Sequence, residues 1–133
     1  MINDTRSLLW MANQNTITPH VWVSRVPARY SPDVCVFDLD PSRDDEPHVL
    51  RDAALALRDL LDELGLPSWV KMSGSKGFHI LVPLDGAAKT GDVARFAHTV
   101  GAVLVARDPQ RLTQEFIKAD RGGRILVDTG RNG

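Results

Sequence analysis

Residues 34–40 read Val34-Cys35-Val36-Phe37-Asp38-Leu39-Asp40, and this stretch decides the fold. A run rich in β-branched and aromatic residues predicts a strand from Asp33 to Asp40. Side chains alternate along a strand, so Val34 and Val36 face one side while Cys35, Phe37 and Leu39 face the other. Asp38 and Asp40 share the face of the two valines, which passes from apolar to doubly acidic at the strand's end. Two carboxylates held that close repel unless a cation lies between them. Magnesium or manganese is the natural occupant, because both prefer oxygen ligands. The plainer alternative is a solvated strand end running into the polar loop Pro41–Glu46, with Asp44, Asp45 and Glu46 in water.

Outward from this strand, the clearest element is a helix over Pro47–Leu64. Leu50, Ala53, Ala54, Leu57, Leu60, Leu61 and Leu64 recur at helical spacing and form one apolar stripe. Proline suits the helix start, and Gly65 and Pro67 close its end. A second amphipathic helix is predicted over Asp92–Ala106, with Val93, Phe96, Ala97, Val100 and Leu104 inward. A short helix at Thr5–Asn13 would turn Leu8, Leu9, Met11 and Ala12 to one side. Thr113–Ala119 reads as another short helix. Strands are predicted at Trp69–Met72, Phe78–Val82 and Arg124–Asp128. Ile17–Arg25 alternates as well, with Pro19 placing it at a sheet edge. Strands and helices alternate without a clean βαβ repeat. The expected class is α+β, a mixed and mainly antiparallel sheet backed by helices.

The chain has 133 residues, enough for one domain with a core, and a net charge of −1. Any basic surface for nucleic acid must therefore be local. The single cysteine, Cys35, forms no internal disulfide and reads as inert core, which fits a reducing cytoplasm. Met1-Ile2-Asn3-Asp4 does not begin a signal peptide, and no apolar run approaches membrane-spanning length.

Ser73-Gly74-Ser75-Lys76-Gly77-Phe78-His79 is the other informative stretch. Glycines let backbone N–H groups approach an anion, and hydroxyls and an ammonium add donors. The spacing is not that of a Walker loop. A plain hairpin turn explains the Ser/Gly content equally well, but not Lys76 and His79 together. Asp128 ends a later strand, where a third carboxylate would complete a two-metal site; alone it reads as a cap or turn residue. Arg121, Arg124 and Arg131 cluster around Asp128 in the sequence, as phosphate ligands or as solvated counter-charges. His20 and Trp22 read by default as packed side chains.

Taken together, these residues resemble the polymerase domain of the multifunctional ATP-dependent DNA ligases of bacterial non-homologous end joining, within the archaeo-eukaryotic primase superfamily. The matching segments are Leu8-Leu9-Trp10-Met11-Ala12-Asn13, His20-Val21-Trp22, Phe37-Asp38-Leu39-Asp40-Pro41, Lys71 to His79, Val82-Pro83-Leu84, Val127-Asp128 and Arg131-Asn132. They run in order over nearly the whole chain. The resemblance implies an RRM-like primase–polymerase palm, with Asp38, Asp40 and Asp128 as metal-binding catalytic carboxylates for Mn2+ or Mg2+. It implies that Ser73, Lys76 and His79 hold the phosphates of a nucleoside triphosphate, that Arg121 and Arg131 lie near them, and that His20 sits beside the nucleotide. Implied partners are a DNA primer–template or broken DNA ends and a ligase domain, fused or separate. The implied setting is the bacterial cytoplasm, at the nucleoid, with no membrane. The family has an N-terminal segment gripping a DNA 5′-phosphate and a basic strand after the Asn132 position, so residues 1–133 are expected to form a partial catalytic domain. Where an aromatic often follows the third acid in the family, this chain has Thr129.

Two other readings compete. A phosphohydrolase of the haloacid-dehalogenase type also ends a strand in Asp-x-Asp, with Asp38 as nucleophile, but this chain continues with Pro41-Ser42 and has only Asp128 as a late acid. A non-catalytic nucleic-acid-binding module would use the sheet face, though such sheets usually display aromatic residues, and the single tyrosine, Tyr30, falls in a loop.

Overall fold

The computed structural model describes residues 2–42 and 47–133; the expected acidic loop at Asp44, Asp45 and Glu46 lies outside the described residues. The elements run α1 (Thr5–Asn13), β1 (Val34–Asp40), α2 (Pro47–Glu63), β2 (Trp69–Met72), β3 (Phe78–Pro83), α3 (Thr90–Arg107), β4 (Leu112–Thr113) and β5 (Ile125–Asp128). The strands form one five-stranded sheet in the order β2-β3-β1-β5-β4. β1 pairs antiparallel with β3 and β5, β2 pairs antiparallel with β3, and only β4 and β5 are parallel. The α+β class and the mainly antiparallel sheet are as expected.

β1 is central because one of its faces is wholly apolar. Cys35, Phe37 and Leu39 are fully buried against Leu57 and Leu61 of α2 and Ala97 and Leu104 of α3. Both helices therefore lie on one side of the sheet. α2 buries Leu50, Ala53, Leu57, Leu60 and Leu61. It stops where Gly65 turns left-handed at φ +71, with Gly65 N–H donating to the Asp62 carbonyl and Leu66 N–H to the Leu61 carbonyl. Leu64, expected in the stripe, lies beyond that stop and is half exposed.

Burial raises the Cys35 thiol to about 12 from its ordinary value of 9.0. A folded value above the unfolded one means that the stabilisation is complete below pH 9 and is lost as pH rises from there toward 12. Cys35→Ala is expected to flatten that alkaline limb in melts recorded across this range. Native Cys35 should resist iodoacetamide, with labelling appearing only on unfolding.

Two expected elements are corrected. Ile17–Arg25 forms no strand; the segment is irregular, with Ile17, Val21 and Trp22 exposed, so Trp22 is not a core residue. Among the described residues the segment pairs with neither edge strand of the sheet, β2 or β4. Thr113–Ala119 is not a helix: Leu112–Thr113 joins the sheet, and the segment turns helical at Lys118–Arg121, for a single 3-10 turn. α1 forms as expected, capped by the Asp4 carboxylate, which accepts Ser7 N–H at 2.7 Å. Its apolar side is exposed at Leu8, Leu9 and Ala12, with Met11 half-buried. Among the described residues, no helix is long and apolar enough to cross a membrane.

Candidate active site

The helix-free face of the sheet carries the chemistry. In register, Lys71 of β2 pairs with His79 of β3, His79 with Asp38 of β1, and Asp38 with Asp128 of β5. Directly paired residues point to the same side, so these four side chains form one row across the sheet. Asp40 lies two residues further along the same face of β1.

The segment from Gln114 to Arg124, which links the parallel strands β4 and β5, closes the far end of this face. Arg121 anchors it. Its guanidinium, only 7% exposed, donates to Asp40 Oδ2 at 2.9 Å, to the Glu115 carbonyl at 3.1 Å and to the Phe116 carbonyl at 2.8 Å. β2, β3 and the end of β1 are left open beside it.

Each carboxylate has its own neighbour. His79 Nε2 lies 3.2 Å from Asp38 Oδ2, and Arg131 Nε donates to the same oxygen at 3.2 Å. Asp128 Oδ1 accepts Gly130 N–H at 2.8 Å. The three arginines are thus not gathered on Asp128. Arg131 sits on Asp38, Arg121 on Asp40, and Arg124 donates to the backbone carbonyl of Arg121 at 2.7 Å. Only oxygen donors come from the three aspartates, which suits a hard divalent cation. Among the described residues, no three His, Cys, Asp or Glu groups are drawn together as a ready ligand set. The donor chemistry and the shared face fit Mg2+ or Mn2+, and holding one requires the aspartates to turn from their present partners.

The Ser73–Gly77 turn joins β2 to β3 beside this row. Ser73 N–H donates to the Gly77 carbonyl at 3.0 Å, and Ser73 Oγ accepts Gly77 N–H at 3.1 Å. The hydroxyl thereby shapes the turn while its own proton can point outward. Gly74 takes φ +89, a conformation that favours glycine. Gly77 is required for a different reason, since a Cβ there would run into the backbone carbonyl oxygen of Leu39. Gly77→Ala is expected to push the turn off β1 and to cost about 1–3 kcal/mol, read as a lowered urea midpoint. Lys76 is exposed at the tip of the turn. His20 is exposed on the irregular segment before β1, and among the described residues no hydrogen bond or ion pair joins it to the row.

Two residues were quoted in motifs without a role. Lys71 is in the row, a position set by cross-strand register that local spacing does not reveal. Asn132 is fully buried, and its carboxamide accepts Val36 N–H at 2.8 Å and donates to the carbonyls of Val36 at 2.7 Å and Thr129 at 2.9 Å. It takes over both backbone groups of Val36 after β5 has ended, and its neighbour Arg131 is thereby delivered to Asp38.

Comparison with known proteins agrees with this geometry. A family model described as the primase-polymerase domain of LigD matches residues 1–133. The multifunctional non-homologous end joining protein LigD of Pseudomonas aeruginosa is 33% identical over 131 residues, 98% of this chain and 16% of that protein. The bifunctional non-homologous end joining protein LigD of Bacillus subtilis is 31% identical over 126 residues, 94% of this chain and 20% of that protein. Among solved structures, the polymerase domain from Mycobacterium tuberculosis ligase D in complex with DNA superposes with a TM-score of 0.82 at 31% identity, covering 98% of this chain and 48% of that one. The chain spans about a fifth or less of the length of these curated relatives, and about half of the solved domain.

Proposed function

The chain belongs to the LigD primase–polymerase domain family, and on that premise we propose that residues 1–133 carry the catalytic palm of a nucleotidyltransferase that fills gaps in end-joining DNA repair. The observation that carries this reading is the register that sets Asp38 opposite Asp128, with His79 on the other flank and Asp40 just beyond.

In this reading Asp38, Asp40 and Asp128 hold Mn2+ or Mg2+ in a two-metal site. Bound there, the cations neutralise charge on the triphosphate and favour the deprotonated 3′-hydroxyl. Ser73, Lys76 and His79 hold the triphosphate, with Arg131 at the edge of the row. Arg121 reaches the phosphates only by releasing Asp40. His20 belongs beside the nucleotide. The primer hydroxyl attacks the α-phosphorus in line, the new P–O bond replaces the bond to the β-phosphate, and pyrophosphate leaves. The protein supplies position and charge rather than covalent chemistry. The substrates are a nucleoside triphosphate and a primer–template or broken DNA end. The partner is a ligase domain, fused or separate, and the setting is the bacterial nucleoid.

The test is extension of a gapped duplex by this chain with Mn2+ or Mg2+. Extension with release of pyrophosphate is the expected result. Hydrolysis of a phosphomonoester with phosphate trapped on Asp38 would overturn the reading in favour of a phosphohydrolase.

A further inference from the structure

We propose that Trp69 and Lys71 form a strand-holding step on β2, where a DNA primer stacks a base on the indole and sets a backbone phosphate against the ammonium. The proposal rests on the nucleotidyltransferase reading and names where the primer lies.

Register places the step. Trp69 pairs with Leu81 and Lys71 with His79, while Leu81 pairs with Val36 and His79 with Asp38. Both side chains therefore lie on the same helix-free face as the carboxylates, two residues apart on one strand. β2 is the edge of the sheet, so nothing in the sheet lies beyond it. Trp69 is 59% exposed, and among the described residues Lys71 has no carboxylate partner. The neighbouring Val70 and Met72 point to the opposite face. On its own face Leu81 and Val36 continue the row inward, half-buried and buried, so of these three apolar side chains the indole is the one left exposed.

Spacing assigns the role. β2 and β1 are separated by β3, so Lys71 stands about 10 Å from the Asp38 backbone. Two strands away, Lys71 is set beside the carboxylates rather than among them, where it can hold the strand that delivers the reacting atoms. An exposed aromatic with a cation two residues on is the combination that binds single strands without reading sequence. The charge order supports the placement: with His79 taken by the triphosphate, Lys71 leaves positive charge at the edge of the sheet, where a polyanion is attracted before it reaches the site of attack.

The experiment is fluorescence anisotropy of a labelled primer with a 3′ end, titrated with the full chain without divalent cation or nucleotide. Trp69→Ala is expected to weaken binding roughly 5- to 100-fold. Lys71→Gln is expected to lower the slope of log K against log salt by about 0.7, one phosphate contact. Trp10→Ala removes an equally exposed indole on α1 and should leave affinity unchanged. A second readout does not depend on Trp69 being replaceable: in a Trp10→Phe/Trp22→Phe variant, the remaining indole fluorescence should be quenched by the primer.

Unquenched fluorescence, with Trp69→Ala and Lys71→Gln binding like the wild type, would overturn the step. If Asp38→Asn still abolished extension, the nucleotidyltransferase reading would survive that result. A wild-type chain that neither binds nor extends a primer would overturn both.

Discussion

Asp38→Asn is expected to cut primer extension by at least about 100-fold while moving the melting temperature by only a few degrees. The two effects separate because Asp38 does different things in the fold and in the reaction. In the fold, its Oδ2 sits 3.2 Å from both Arg131 Nε and His79 Nε2. An asparagine oxygen of the same shape can still accept from Arg131 and sit beside His79. The substitution also removes one of two like charges facing each other across β1 and β5, which offsets the weaker hydrogen bonds. In the reaction, the lost negative charge is the one that would balance a divalent cation, and an amide oxygen is a poor substitute. A ligand that binds only the folded state raises the melting temperature. Mn2+ should therefore raise the melting temperature of the wild type and leave Asp38→Asn unmoved. A variant that extends primers at the wild-type rate, or that gains the same stabilisation from Mn2+, would remove Asp38 from the catalytic set.

How much of this was legible depends on how far apart the determinants lie in the chain. β1 could be placed because its own alternation separates Cys35, Phe37 and Leu39 from Asp38 and Asp40, and burial follows that division. α2 could be placed because its stripe and its glycine stop are both local. The failures came where a distant partner decides. Residues 17–25 alternate like a strand but pair with neither edge of the sheet. Residues 113–119 could form a helix, yet the carbonyls of Glu115 and Phe116 are needed as acceptors for Arg121. A continuous helix would spend those carbonyls on its own N–H groups. The same limit applies to the site. Asp38 and Asp40 declare themselves as a pair on one strand, whereas the meeting of Asp38 with Asp128 and of His79 with Lys71 is a matter of register. Arg121 shows the difference in kind: its charge suggests a phosphate ligand, whereas its contact with Asp40, far away in the chain, is one that local spacing does not reveal.

Asn132→Ala is expected to destabilise the fold by about 2–4 kcal/mol, with a fall in melting temperature on the order of 10 °C. β1 needs a partner on its β5 side along its length, but β5 ends at Asp128 and the chain turns away through Gly130–Asn132. The Asn132 carboxamide replaces the missing strand, meeting both the N–H and the carbonyl of Val36 and tying back to Thr129. Alanine leaves both Val36 groups buried and unpaired, and the cost of an unmet buried group exceeds the net worth of the bond it lost. Asn132→Asp is a sharper version of the test, since it keeps an acceptor for the Val36 N–H, loses both N–H donors and buries a charge. It should melt at least as low as alanine at neutral pH. The consequence reaches the site because Arg131 is the adjacent residue: once the turn loosens, its guanidinium is no longer held on Asp38. An Asn132→Ala chain melting within about 2 °C of the wild type would show that the carboxamide is not what completes the sheet beside the carboxylate row.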